Sequence, residues 1–408
     1  MMRKNTIFTL TILLVFGLLT LCSGLALAGE TVKIGFVGAF TGPAFKMTKD
    51  AEQAAVLAIE EINATGGILG NKIEMDSRDG GNRPELHARL AREMIEQEKV
   101  KAIFGGGASS CVLGASAVAK ELKVPYLVSV GNSSSIVWKK GHHYVCLFES
   151  NSSMEANAWV AWAAKQPWRT YSWIGPDYEW SRMTLKAFKQ KLAARGINLK
   201  FKKELWHKLG ETTFTSYVPV LKASRPEVLF IGTWGSSLNA FILQAGQAGL
   251  FDKMKAFGMI AEDTCIALGK KFPQGLHGFS RGAFNYYSAK EAAGKEFTDK
   301  YYKKFNMYPG GFSFCAYDSV IAWAAAVKKA GSFDSTKVAD ALRGLKFSGP
   351  RGDQYIRAVD GQLNCATTMG PLVYNEKYGF AVLDPATAIA AENVWLSVDE
   401  VKAIYSKQ

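Results

Sequence analysis

Short β-rich runs alternate with longer amphipathic runs through most of this chain, joined by links of a few glycine, proline and polar residues. That alternation constrains the fold more than any other feature. Parallel strands cannot be joined by tight turns, so each needs a crossover, and a helix is the usual one. Residues 32–38 (VKIGFVG) read as a strand, and a helix is clear from Asp50, with Ala51, Ala55, Ala58, Ile59 and Ile62 on one face. Gly66-Gly67 stops it before a strand over 72–75, and Pro84 opens a helix running to about Glu98. A strand ending at Phe104, a helix from near Ser109 and a strand over 125–130 complete a first series.

The polar run ESNSS at 149–153 interrupts the pattern, which then restarts. Helices are predicted over 154–165, 181–195, 214–223 and 237–248, with strands over 170–174, 199–205, 228–232, 256–260 and 276–284. Two lobes of similar make-up follow, each with helices packed on a parallel sheet. Two later helices, 291–305 and 315–330, are expected to return to the first lobe.

Within the first series, residues 103–116 (IFGGGASSCVLGAS) join a buried strand to a helix through three glycines and two serines. Glycines permit close approach of a ligand to the main chain, and a helix start suits an anion. An ordinary turn with a serine N-cap has the same appearance locally. A second Gly-Ser loop, Gly131 to Ser135, is expected beside it. Trp180 and Trp234 both follow predicted strand ends, where open α/β sheets bind ligands. Trp159, Trp162, Trp168, Trp173 and Trp323 read as packing residues.

Composition narrows the function. The 408 residues suffice for two domains. Arg3-Lys4, an apolar run over 7–21 and Ala26-Leu27-Ala28 form the pattern of a secretory signal peptide (1–28), with cleavage before Gly29. Lipid anchoring at Cys22 is disfavoured by the bulky Leu21 before it. The formal charge of +13 falls to +11 when Arg3 and Lys4 leave. The lysines are scattered rather than blocked together, so nucleic acid is not an expected partner. Five cysteines remain (Cys111, Cys146, Cys265, Cys315, Cys365), too widely spaced for a zinc or redox motif, and the choice between one disulfide and none stays open. The five histidines form no metal motif, and no P-loop, G-x-G-x-x-G or G-x-S-x-G is present. No cofactor, no metal and no catalytic residue is expected.

GAFTGP at 38–43 and EEINATGGILG at 60–70, followed in order by IFGGGASSCVLGAS, VPYLVSV, RPEVLFIGTW and FCAYDSV, resemble the exported solute-binding proteins of ABC transporters, the branched-chain amino acid-binding family. The resemblance covers nearly all of the mature chain. It implies the type I periplasmic-binding-protein fold: two doubly wound parallel-sheet lobes, joined by a three-strand hinge, that close on a ligand. Carried over, lobe 1 is 29–148 with 282–347, and lobe 2 is 149–281 with 348–408. The implied carboxylate cradle is Ser109, Ser110, Gly131 and Ser133. Met47, Trp180, Trp234 and Phe312 fall at cleft positions. The family's acceptor for a ligand ammonium, at the end of the strand that here reads KAFGMI, falls ungapped on Ile260, and Glu262 or Asp263 reach it only by a two-residue shift. That departure, together with YIRAVDGQ at 355–362, points to a carboxylate ligand without the amine, with aromatic acids suited to the two tryptophans. The resemblance implies a periplasmic, monomeric, non-enzymatic receptor whose partners are a small-molecule ligand and the permease subunits of an ABC importer. A ligand-sensing module of the same fold in signalling is the alternative.

Overall fold

The structure, a computed structural model, describes residues 30–407; the expected signal peptide and Cys22 lie outside the described residues. The first sheet contains β1 (Thr31–Gly38), β2 (Lys72–Asp79), β3 (Ile103–Gly106), β4 (Tyr126–Val130) and β5 (Val145–Leu147). Its order is β2-β1-β3-β4-β5, parallel throughout. Helices α1 (Phe45–Ala64), α2 (Pro84–Glu96) and α3 (Ser109–Leu122) make the crossovers. The central strands β3 and β4 are buried at every residue, as strands covered on both faces must be.

The second sheet is built from β6 (Thr170–Pro176), β7 (Lys200–His207), β8 (Val228–Ile231), β9 (Lys255–Gly258) and β10 (Leu276–Ser280), interleaved with α4 (Ser152–Ala163), α5 (Glu179–Ala193), α6 (Tyr217–Ser224), α7 (Gly235–Gln247) and α8 (Glu262–Leu268). These strands are parallel in the order β7-β6-β8-β9-β10. A small hairpin, β11 (Lys346–Gly349) with β12 (Gly352–Tyr355), precedes three antiparallel additions to the second sheet: β13 (Thr367–Asn375), β14 (Phe380–Leu383) and β15 (Thr387–Ile389).

The late helices are α9 (Phe284–Lys290), α10 (Ala292–Phe305), α11 (Gly311–Ala330) and α12 (Ser335–Leu342). Helices α10 and α11 return to the first lobe, whereas α9 packs Phe284 against Phe380 of β14 in the second sheet. The small residues of α1 (Ala51, Ala54, Ala55, Ala58) let α11 come close. Ser313 Oγ donates to the Asp50 carbonyl at 3.2 Å, and Tyr301 Oη to Gln53 Oε1 at 3.0 Å. The predicted strand over 276–284 ends at Ser280, and α9 occupies the place of its last residue. The expected boundary at 348 also cuts differently from the packing. Although β13–β15 join the second sheet, the final helix α13 (Val398–Tyr405) goes back to the first lobe. There Val401 is buried, and Tyr405 Oη donates to the Val137 carbonyl at 2.6 Å. An amphipathic helix of eight residues buries its apolar side against whatever surface is near, and the turn after β15 leads it there.

The chain passes between the lobes after β5, after β10, and again between β12 and β13, and these passages are bound together. Arg351, fully buried, pairs through Nε with Asp318 at 2.7 Å. Its Nη1 and Nη2 donate to the carbonyls of Arg281 (2.9 Å) and Phe148 (3.0 Å), one on each of the other passages. Gln362 extends the tie: Nε2 donates to the Glu149 carbonyl at 2.7 Å, and Oε1 accepts from Asn151 at 2.9 Å. YIRAVDGQ is therefore a hinge segment, with Arg357 held to Asp360 and to the Leu396 carbonyl. Among the described residues all five cysteines are free and buried. Arg351→Met would leave Asp318 buried without its partner and two carbonyls unpaired. Such a break costs about 3–5 kcal/mol, so the urea midpoint should fall markedly; an unchanged midpoint would contradict the hinge assignment.

Candidate functional site

In a doubly wound sheet the ligand crevice opens where neighbouring strands send their crossovers to opposite faces. In the first sheet that point lies between β1 and β3, so the segments at Ala44 and at Gly107 to Ser109 diverge there. In the second it lies between β6 and β8, which are followed by Tyr178-Glu179-Trp180 and by Trp234. The two crevices face each other. Residues from both line one cavity of about 360 Å³, mouth included: Met47, Ala108, Ser109, Gly131 and Phe312 on one side, Tyr178, Trp180, Trp234 and Met259 on the other, with Glu149 and Arg281 at the hinge.

The glycine loop forms the first wall for a steric reason. Gly106 has φ +130°, and a Cβ there would lie 2.0 Å from the Val130 carbonyl oxygen. Gly131, at φ +106°, would bring a Cβ within 2.5 Å of the Gly107 carbonyl oxygen. Only glycine lets the ends of β3 and β4 come this close. Ser109 Oγ then accepts from the Ser133 backbone N–H at 3.1 Å, which clamps the two loops together.

Six of the residues expected at the cleft line the cavity: Met47, Ser109, Gly131, Trp180, Trp234 and Phe312. Four do not. Ser110 is only half-buried and is not in the wall. Ser133 is buried one step behind Ser109, with its own hydroxyl toward Met183 Sδ at 3.6 Å. Glu262 accepts from Ser280 Oγ at 2.9 Å. Asp263 lines an adjoining compartment with Asp50, and Met47, Met259, Arg281 and Phe312 are shared by both spaces. Ile260 is buried in the core and lines neither.

Sequence reasoning missed the polar centre. Arg281, just beyond β10, pairs with Glu149 at 2.8 Å and with Glu155 of α4 at 2.7 Å. Phe312 and Phe279 place their rings 5.0 and 5.4 Å from its guanidinium. Burial pushes the Glu149 carboxyl up to about 8, with Arg281 pulling down and Glu155 pushing the same way as burial. Burial likewise raises Glu155 to about 7 against the pull of Arg281, and Glu262 to about 7. Burial opposes the charge on Arg281, but Glu155 and Glu149 outweigh it and hold it above its ordinary value. The one signal available beforehand was that both residues sit in polar links directly after apolar strands.

The mouth is bridged on two sides. Ser236 N–H donates to the Pro43 carbonyl at 3.3 Å, beside Gly235, where a Cβ would lie 2.2 Å from the same oxygen. Ser135 Oγ donates to Glu179 Oε1 at 3.2 Å. The lobes are in contact on two sides of this space, the closed arrangement of a clamshell. Among the described residues no His, Cys, Asp and Glu cluster is arranged to hold a metal, and no helix is long and apolar enough to cross a membrane.

The buried carboxyls make stability depend on pH. Their folded values lie above their unfolded ones, so the folded state keeps protons that the unfolded state has lost, and stability falls as pH rises. Half-buried His142, held down to about 4 by desolvation, acts oppositely, with His87, His207 and His277 also lowered, but only below about 6.5, where unfolded histidine titrates. The unliganded protein should therefore lose melting temperature between about pH 6.5 and about pH 8, with a shallower loss in Glu149→Gln. A melting temperature that rises across this window would refute the assignment.

Residues 31–375 match the model of the periplasmic binding protein family. Among curated proteins, the leucine-, isoleucine-, valine-, threonine- and alanine-binding protein of Pseudomonas aeruginosa is 23% identical over 332 residues, covering 80% of this chain and 86% of the relative. Leu/Ile/Val-binding protein homolog 7 of Brucella abortus is 25% identical over 349 residues, covering 81% and 85%. Among solved structures, an ABC-transporter solute-binding protein of Rhodopseudomonas palustris in complex with 3,4-dihydroxybenzoic acid superposes with a TM-score of 0.80 at 23% identity, over 88% of this chain and 96% of that one. A branched-chain amino acid transporter substrate-binding protein of Streptococcus pneumoniae in complex with isoleucine gives 0.76 at 22%, over 88% and 99%. With its two facing crevices and hinge, the chain belongs to the periplasmic binding protein family.

Proposed function

We propose that this protein is an extracytoplasmic receptor that closes its two lobes on one small solute and delivers it to the membrane subunits of an ABC importer. The observation that carries this reading is the ligand space at the meeting of two sheet crevices, walled by both lobes. A ligand that touches both walls favours the closed state by its differential contacts, and the hinge passages supply the motion. The relatives' names cover branched-chain amino acids and a dihydroxybenzoic acid. Trp180, Trp234 and Tyr178 offer flat faces to an apolar or aromatic body. Ser109 and Gly131 stand where the ligand's polar head would lie, with Met47 and Phe312 completing the apolar surround. Ser133 acts through Ser109 rather than on the ligand, and Ser110 has no direct part. No group in the cavity is set up as a nucleophile with its base, which favours a receptor over an enzyme.

A thermal-shift panel of amino acids, aliphatic acids and aromatic acids tests the reading. A solute present at a hundred times its Kd stabilises by about 2.7 kcal/mol, a rise of several degrees. Trp234→Ala, which removes a wall of the second lobe, should weaken calorimetric affinity for the solute found by about tenfold or more. Affinity unchanged in that variant would place the ligand elsewhere.

A further inference from the structure

Four lysines that lie far apart in the sequence meet on the first lobe. Helix α3, the turn over 139–142 and the final helix α13 wall an open groove that shares no lining residue with the ligand space. Lys120, Lys139, Lys140 and Lys407 line it, all exposed, together with Ser116 and His142, and no acidic side chain stands in its wall. The fold builds this groove. At Gly141 a Cβ would lie 2.4 Å from the Val137 carbonyl oxygen and 2.8 Å from Tyr405 Oη. The same carbonyl accepts from Tyr405 Oη at 2.6 Å, which seats α13 as the second wall. Arg343 Nη2 braces the turn by donating to the carbonyls of His142 (2.7 Å) and His143 (2.8 Å), and adds a further cation.

The neighbouring carboxylates are spent elsewhere. Glu121 pairs with Arg92 at 2.5 Å, Asp340 with His143 at 2.8 Å, and Asp360 with Arg357. Among the described residues no carboxylate pairs with the four lysines or with Arg343. Like charges held on one concave surface add their fields, and an anion entering it relieves their repulsion. A buried donor points to the same kind of occupant. The Tyr144 N–H donates to His142 Nδ1 at 3.2 Å, so the neutral ring carries its proton on Nε2, 2.8 Å from Ser116 Oγ. Desolvation keeps that ring neutral, and the charges of Lys120 and Arg343 push the same way. Ser116, only 2% exposed, therefore accepts from His142 and keeps its own hydroxyl proton, for which no acceptor stands among the described residues.

We propose that this groove is a second binding site, separate from the ligand space, for a phosphate-bearing anion. Lysine binds phosphate as a point charge from any direction, and the Ser116 hydroxyl supplies one directional hydrogen bond. The number of cations matches two or more phosphate groups. These come either from a soluble polyphosphate or from the phosphodiester headgroups of an anionic lipid surface. The groove follows α3 from Leu113 to Lys120, beyond Ser109 at the ligand space, so an occupant leaves the cleft free.

The test uses the full mature protein in a phosphate-free buffer of low ionic strength. Calorimetric titration with inorganic tripolyphosphate probes the soluble source. Co-sedimentation with vesicles of phosphatidylglycerol and phosphatidylcholine, against phosphatidylcholine alone, probes the lipid source. At least one arm should show binding, weakening as salt is added. The double variant Lys139→Gln, Lys140→Gln should lower that affinity tenfold or more, and Ser116→Ala about threefold. A control pair on the β7 edge, Lys202→Gln with Lys203→Gln, makes the same change in net charge and should leave affinity within about twofold. All four lysines are exposed, so the folds of both double variants should hold, with melting temperatures that check it. Tripolyphosphate binding assigns the soluble source, and vesicle binding alone assigns the lipid one. Binding in neither arm would overturn the proposal. An equal loss in the control pair would overturn it too, by reducing the effect to net charge.

Discussion

The structure depends on one constraint: three separate passages of chain between two sheets must stay in register while the lobes remain distinct bodies. Arg351 meets that constraint with a single side chain, bonded to Asp318 and to the carbonyls of the two other passages. A buried guanidinium is costly unless every donor finds an acceptor, so its position is strongly specified. Gln362 repeats the device a few residues later, reaching the Glu149 carbonyl and Asn151. The hinge is polar and saturated in its backbone ties. That holds it in one arrangement without the large apolar interface that would weld the lobes together.

The ligand space follows from the hinge. With the two sheets held facing each other, the divergence points after β1 and β3 and after β6 and β8 come opposite, and the residues there become walls. The same passages bring Glu149 and Arg281 into the floor. The floor therefore serves the hinge and the ligand at once. A group that stabilises or releases Glu149 charge acts on the site and on the stability of the fold together, because burial at the hinge raises its pKa.

Much of this was legible in the sequence. The strands and helices of both sheets announce themselves by hydrophobic period, and the glycines at 105–107 mark a tight turn, where the structure brings the ends of β3 and β4 together. Trp180 and Trp234 were placed at strand ends, and both reach the cavity. Less was legible where local signals are weak or misleading. Strand β5 is only three residues long, and the run 276–284 is β-rich throughout although its end turns into α9. Helix α13 has a capping box at Ser397 and Glu400, which fixes its start but not the lobe on which it packs. Glu149 and Arg281 lie in different polar links, and only the crossing of those links brings them within 2.8 Å. Their pairing is a property of topology, which no spacing in the chain records.

The central claim is that a solute closes this molecule. The most direct measurement is small-angle X-ray scattering of the mature protein, stripped of bound solute by unfolding and refolding, then titrated with the solute that the binding panel identifies. The account predicts a smaller radius of gyration on saturation, with a midpoint that matches the calorimetric Kd, because the closed arrangement needs contacts from both walls. Scattering that is identical with and without saturating solute would contradict it.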